Sequence, residues 1–237
     1  MGLPRLRFAM HIAVAPSAPT PEDPMQLIGM LDSPYVRRVA IALIAAKVPF
    51  EHRPISLFRH IDAFAKINPL LKAPTLVADN GIVLMDSGVI LDYLTAAYPQ
   101  LAALTPPDST GRLRALRATA LGLTVMEKAV QRHYERAVRP PEKRHDAWVE
   151  RVMGQLLAGL SALDAEAPQS GWIEGDLGVA DITVACAFGF VRLIMSDLVE
   201  TSRYENLAEF CARAEALPAF RAAPAEDGVS APLALAD

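Results

Sequence analysis

The sequence predicts a chain of two domains, an α/β domain with a mixed sheet followed by an all-helical domain. Strand-like and helix-like segments alternate as far as residue 100; beyond a proline-rich polar linker at 105–109 the strand signals stop and long helical periodicities replace them. With 237 residues and 25.6 kDa, the chain is long enough to bury two modest cores.

The elements follow in order. Residues 1–24 hold Arg5, Arg7, a short apolar run interrupted by His11, and a proline-rich stretch; they read as a disordered extension ahead of Met25, too weakly apolar for an export signal. From Gln26 to Met30 the pattern is that of a strand. Ser33-Pro34 then opens a helix with Val36, Val39, Ala40, Leu43 and Ile44 on one face. Phe50 to Ile55 is a second strand, although Pro54, with no N–H to donate, confines it to a sheet edge or to the strand's end. Strand, helix and strand in this order imply a right-handed parallel crossover. Thr75–Ala78 and Ile82–Met85 flank Asp79-Asn80-Gly81, a turn that joins antiparallel strands. Ser87 precedes a helix with Ile90, Tyr93, Leu94, Ala97 and Tyr98 on one face, closed by Pro99. The order β-α-β-(α)-β-β-α, over residues 25–100, is that of a thioredoxin-like domain. Helical stretches are then expected at about 112–137, 142–167, 179–193 and 207–217, the last ended by Pro218, within an all-α domain spanning 109–224. The tail from Ala222, and above all 225–237, reads as loose.

Composition removes several function classes. A net charge of -4 and a pI near 5.8, with arginines interleaved among acids, provide no basic field for nucleic acid. Mean hydropathy is +0.22, but no unbroken apolar stretch approaches twenty residues, so no membrane partner is expected. Cys186 and Cys211 form neither a disulfide framework nor a metal knuckle, which fits a reducing, cytoplasmic setting. The five histidines, at 11, 52, 60, 133 and 145, lack paired ligand spacing, so no metal is expected. A serine hydrolase is disfavoured because there is no G-x-S-x-G elbow.

Three short motifs can carry chemistry, and each has a plain structural reading. Ser33-Pro34 fits an N-cap serine followed by proline at the first helical position; equally, a hydroxyl at a helix N-terminus can hold an anionic sulfur. Ala73-Pro74 precedes the third strand; a cis bond there leaves the Ala73 N–H and C=O facing outward, free to pair with a peptide-like ligand. Asp86-Ser87 can simply cap a helix, or can hold the ammonium and carboxylate of an amino acid.

Together these motifs resemble the soluble, cytosolic-type glutathione S-transferase family, as a serine-type, bacterial-like member. The resemblance is carried by Ser33-Pro34-Tyr35-Val36-Arg37-Arg38-Val39, Asn68-Pro69, Lys72-Ala73-Pro74-Thr75-Leu76 and Asp86-Ser87, in the family's order and spacing. It continues into Gly178-Val179-Ala180-Asp181-Ile182, similar to the family's capping box except that Gly178 stands where Ser or Thr is expected, and it covers about Met25 to Pro224. The resemblance implies glutathione as co-substrate, a homodimer, and a role for each site residue. Ser33 donates a hydrogen bond to the glutathione sulfur, Ala73, next to Pro74, pairs with the cysteinyl unit, and Asp86 with Ser87 hold the γ-glutamyl end. Lys72 and His60 match positions that contact the glycyl carboxylate. Tyr35, Met126, His133 and Tyr134 are candidates to line a pocket for a small hydrophobic electrophile. A free thiol, with a pKa of about 8.5, is mostly protonated at neutral pH, so the site must stabilise the thiolate. Serine rather than cysteine at position 33 argues against thiol transfer through a mixed disulfide. The alternatives are a glutathione-dependent isomerase or dehalogenase, and a non-catalytic interaction module of the same fold.

Overall fold

Residues 24–225 are described by a computed structural model. Four strands of only three residues each make the sheet: β1 (Gln26–Ile28), β2 (Glu51–Arg53), β3 (Thr75–Val77) and β4 (Val83–Met85), in the order β2-β1-β3-β4. β1 runs parallel to β2 with Leu27 opposite His52, and antiparallel to β3 with Leu27 opposite Leu76. β2 lies at the sheet edge and ends at Arg53, immediately before Pro54. Gly81, with φ of 81°, makes the turn between β3 and β4, closed by the Ala78 N–H donating to the Ile82 carbonyl.

Between β1 and β2 lies α1 (Pro34–Ala45), ten of whose twelve residues are buried because it is covered on both sides. The sheet lies on one side and the helical domain on the other. α2 (Ile61–Ile67), α3 (Ser87–Ala97) and the short α4 (Pro99–Ala102) complete the first domain. The helical domain consists of α5 (Ser109–Ala137), α6 (Asp146–Glu166), α7 (Val179–Ile194), α8 (Glu205–Glu215) and α9 (Pro218–Arg221). α7 is its axis, packing against α5, α8 and, across the domain boundary, α1. The fold is therefore a thioredoxin-like α/β domain joined to an all-α domain.

Several boundaries differ from the sequence reading for identifiable reasons. α5 begins at Ser109 because Asp108, read as linker, caps it through Thr110 N–H at 3.1 Å and Gly111 N–H at 2.8 Å. α6 begins at Asp146 rather than 142, because Pro141–Lys143 form a 3-10 turn and the His145 ring accepts from Trp148 N–H at 3.2 Å as the cap. Pro99 and Pro218 each start a short helix instead of only ending one, as proline at a first helical position readily does.

Ala222 and Ala223 are buried, not loose: Arg37 donates from Nε to the Ala223 carbonyl at 2.8 Å, forms a bidentate pair with Glu215 at 2.7 Å, and lies over the Phe220 ring. That clamp seats α9 on α1. Residues 1–23 and 226–237, which hold nearly all of the expected extension and tail, lie outside the described residues.

The departure at Gly178 also has a cause. A Cβ there would stand 3.0 Å from the Leu104 carbonyl oxygen, which accepts from Val179 N–H at 2.9 Å. Asp181 supplies the surviving half of the box, accepting from Gly178 N–H at 2.8 Å and Ile173 N–H at 2.9 Å.

Candidate active site

The site is built where the C-terminal end of β1 turns into α1. Gly29 makes this turn with φ of +135°, and a Cβ there would approach Val36 Cγ2 to 2.6 Å and Ala73 Cβ to 3.2 Å. Only glycine lets the start of α1 and the Ala73-Pro74 loop come this close. Ser33 follows at the N-cap of α1, half-buried, with Pro34 at the first helical position. Its hydroxyl makes no capping bond. Among the described residues, the Tyr35 and Val36 N–H groups also lack partners, so the helix start presents a hydroxyl and two amides to the cleft.

Facing them is the Ala73–Pro74 peptide, which is cis. The Ala73 N–H and C=O make no hydrogen bond among the described residues, as a strand-like docking edge requires. Buried Asn68 fixes the loop by donating to Thr75 Oγ1 at 2.8 Å, while Thr75 donates to the Lys72 carbonyl at 2.7 Å.

At the end of β4, Asp86 is held at φ of +74°, a left-handed conformation that a non-glycine residue adopts only when its surroundings impose it. It caps α3, accepting from Gly88 N–H at 2.9 Å, and its other carboxylate oxygen lies 3.6 Å from Lys72 Nζ. Both members of that pair are more than half exposed, so their attraction is weak and open to exchange with a ligand. Ser87 is buried and accepts from Arg38 Nη1 at 3.0 Å. Arg38 belongs to the Ser33–Val39 motif but has no role assigned to it from the sequence, where a charge beside the apolar face of α1 was the available signal.

The helical domain forms the opposite wall. The Tyr35 hydroxyl, half-buried, has its pKa pushed up to about 12 by burial and then by the charges of Glu127 and Asp86, so it stays protonated. Tyr134 is likewise raised by burial and by Asp32, and stands edge-on to Phe58 at 5.9 Å, with His133 beside it at 6.2 Å. Phe58, from the loop after β2, thus joins the cleft's aromatic residues without any motif to announce it. Met126 is corrected: it is fully buried in the core and has no surface to offer a pocket. His60 caps α2 and is exposed; its Nδ1 accepts from Ser56 N–H at 3.2 Å, leaving Nε2–H outward, and its hydrogen bonds are local to its own loop. Ser33 and Tyr35 at the start of α1, Ala73-Pro74 beside Gly29, and Lys72, Asp86 and Ser87 at the start of α3 are thus brought together, with Tyr134 within electrostatic reach of Tyr35 and His133 joined to the group through Tyr134; His60 has no contact with them among the described residues.

Among the described residues no cluster of side chains could hold a metal ion, and no helix is long and apolar enough to cross a membrane.

Family models match in two segments: the glutathione S-transferase N-terminal domain over residues 27–103 and the glutathione S-transferase C-terminal domain over residues 146–213. A glutathione S-transferase of Methylobacterium radiotolerans, solved in complex with glutathione sulfonate, is similar with a TM-score of 0.77 and 29% identity, covering 90% of this chain and 98% of its own. A glutathione transferase family member of Pseudomonas fluorescens Pf-5, solved with bound glutathione, has a TM-score of 0.71 and 31% identity, covering 84% of this chain and 98% of its own. The maleylacetoacetate isomerase of Pseudomonas aeruginosa is 29% identical over 195 residues, 78% of this chain and 89% of that protein.

Proposed function

The chain belongs to the glutathione S-transferase family, and we propose that it is a serine-type member in which the Ser33 hydroxyl holds the glutathione sulfur as a thiolate. Glutathione is its co-substrate. The observation that carries the serine reading is the Ser33 hydroxyl itself, which stands at a helix N-terminus and is not spent on capping. A donor with no partner among the described residues, beside two open amides and the positive end of the helix dipole, suits a developing anion.

The remaining roles follow from chemistry. The Ala73 N–H and C=O pair with the cysteinyl unit as one more strand would. Asp86 takes the γ-glutamyl ammonium, while the Ser87 hydroxyl and N–H take its carboxylate. Lys72 exchanges its exposed contact with Asp86 for the glycyl carboxylate; His60, set apart, is the more distant partner for the same group. The thiolate then donates its electron pair to an electrophilic carbon to form the carbon–sulfur bond. Tyr35, neutral and able to donate, faces the incoming electrophile together with Tyr134, His133 and Phe58.

A glutathione-dependent isomerase is the second reading, supported by the likeness to the Pseudomonas aeruginosa enzyme. It needs the same thiolate, which adds to a double bond and leaves again after rotation. A non-catalytic role gains no support from a site with its donors unspent.

We also propose a homodimer in the cytoplasm. Val89 on α3 and Leu113 and Leu116 on α5 are exposed at 54, 69 and 53%, large apolar side chains on each of the two domains that suit burial by a partner across a two-fold axis.

Retention on immobilised glutathione, followed by assays with aryl halides, enones and a cis-alkene diacid, tests the function. Retention with conjugation supports a transferase, and retention with isomerisation alone selects the second reading. Passage through the column without retention contradicts both.

A further inference from the structure

Arg38 is 2% exposed, yet among the described residues no carboxylate forms an ion pair with it. Such burial with no carboxylate in contact, eased only by the more distant charge of Asp86, is costly and calls for compensation. The guanidinium donates from Nε to Thr183 Oγ1 at 3.0 Å and from Nη1 to Ser87 Oγ at 3.0 Å, joining α1 to α7 of one domain and α3 of the other. Thr183 in turn donates to the Val179 carbonyl at 2.7 Å, so its hydroxyl proton is committed and its oxygen faces Arg38. At Ser87 the opposite holds. The Arg38 N–H occupies a lone pair of Oγ, and Ser87 donates to no group among the described residues. Its own proton is left for an acceptor outside the protein.

Resting on the glutathione reading above, we propose that Arg38 is a positioning residue for the γ-glutamyl carboxylate. It fixes the Ser87 hydroxyl as a donor towards the ligand and supplies, from beneath, the positive charge that the carboxylate balances. The hydrogen bonds then run in one direction, from guanidinium to serine to carboxylate, each polarising the next. The residue touches no reacting atom, so its effect belongs to glutathione binding and not to the thiol.

The test crosses two ligands with four proteins. Calorimetric affinities for glutathione and for its analogue amidated at the γ-glutamyl α-carboxylate are measured on wild type, Arg38→Met, Arg38→Lys and Thr183→Val, with thermal unfolding alongside. Arg38→Met is expected to weaken glutathione by about ten- to a hundred-fold and the amidated analogue by no more than about three-fold. Arg38→Lys, which restores the charge, should recover part of the loss. At saturating glutathione, kcat and the pKa of the bound thiol should match wild type. Should Arg38→Met fail to fold, Thr183→Val decides: it frees the guanidinium on one side and should weaken glutathione several-fold while again sparing the analogue. Equal losses for both ligands, or a fall in kcat with KM unchanged, overturn the proposal and leave the glutathione reading intact. Wild type that binds neither ligand overturns both.

Discussion

Ser33, Asp86 and Asp108 all stand at helix N-caps, but only the two aspartates use their side chains there, on Gly88 N–H and on Thr110 and Gly111 N–H. Loss of a used cap costs about 1 kcal/mol. Ser33→Ala should therefore leave the urea midpoint nearly unchanged, whereas Asp108→Ala should lower it; equal shifts would assign Ser33 to the helix instead of the thiol. The two cysteines give a second residue-scale test. Burial pushes the Cys186 thiol from 9.0 up to about 12 and Cys211 higher still. The folded chain thus holds these protons more tightly than the unfolded chain does. That share of stability is whole below about pH 9 and is lost as pH rises from there through 12. A disulfide reagent at pH 8 should label neither cysteine in native protein and both in denaturant; rapid native labelling would contradict their burial.

At the scale of elements, the β1–α1 turn does most to assemble the site. Gly29→Ala combines a positive φ with a Cβ 2.6 Å from Val36, and should destabilise by about 2–4 kcal/mol while weakening glutathione binding, since α1 and the Ala73 loop must separate. Unchanged urea midpoint and affinity would show that the close approach is dispensable. This turn also marks where the sequence was silent. Alternation and 3.6-residue periodicity revealed the strand and helix order, because those patterns record which face is buried. Boundaries such as α6 starting at Asp146 depend on one histidine ring accepting one N–H, which leaves no periodic trace. Gly29 likewise reads as an ordinary strand-end glycine until the loop that crowds it is in place.

For the whole molecule, the domain order and the Ser33, Ala73-Pro74 and Asp86-Ser87 motifs were legible because each lies at a local chain feature: a helix start, an X-Pro step, a cap. Arg38, Thr183 and Phe58 were not, since their partners are 49, 145 and 76 residues away and only the fold unites them. Met126 was misread for the same reason: helical spacing places it on a face without saying what covers that face. Exposed Val89, Leu113 and Leu116 predict twice the chain mass by sedimentation at micromolar concentration, with Leu113→Glu plus Leu116→Glu shifting it to monomer; a wild-type monomer would contradict the dimer. Stabilisation of the glutathione thiolate by Ser33 is read from the thiolate absorbance of bound glutathione against pH. The bound thiol should titrate near neutrality in wild type and higher in Ser33→Ala, with a loss of turnover at pH 7 of about ten- to a hundred-fold, as for about 1.5–3 kcal/mol from a hydrogen bond to a charged group. Superimposable titrations with equal turnover would contradict it.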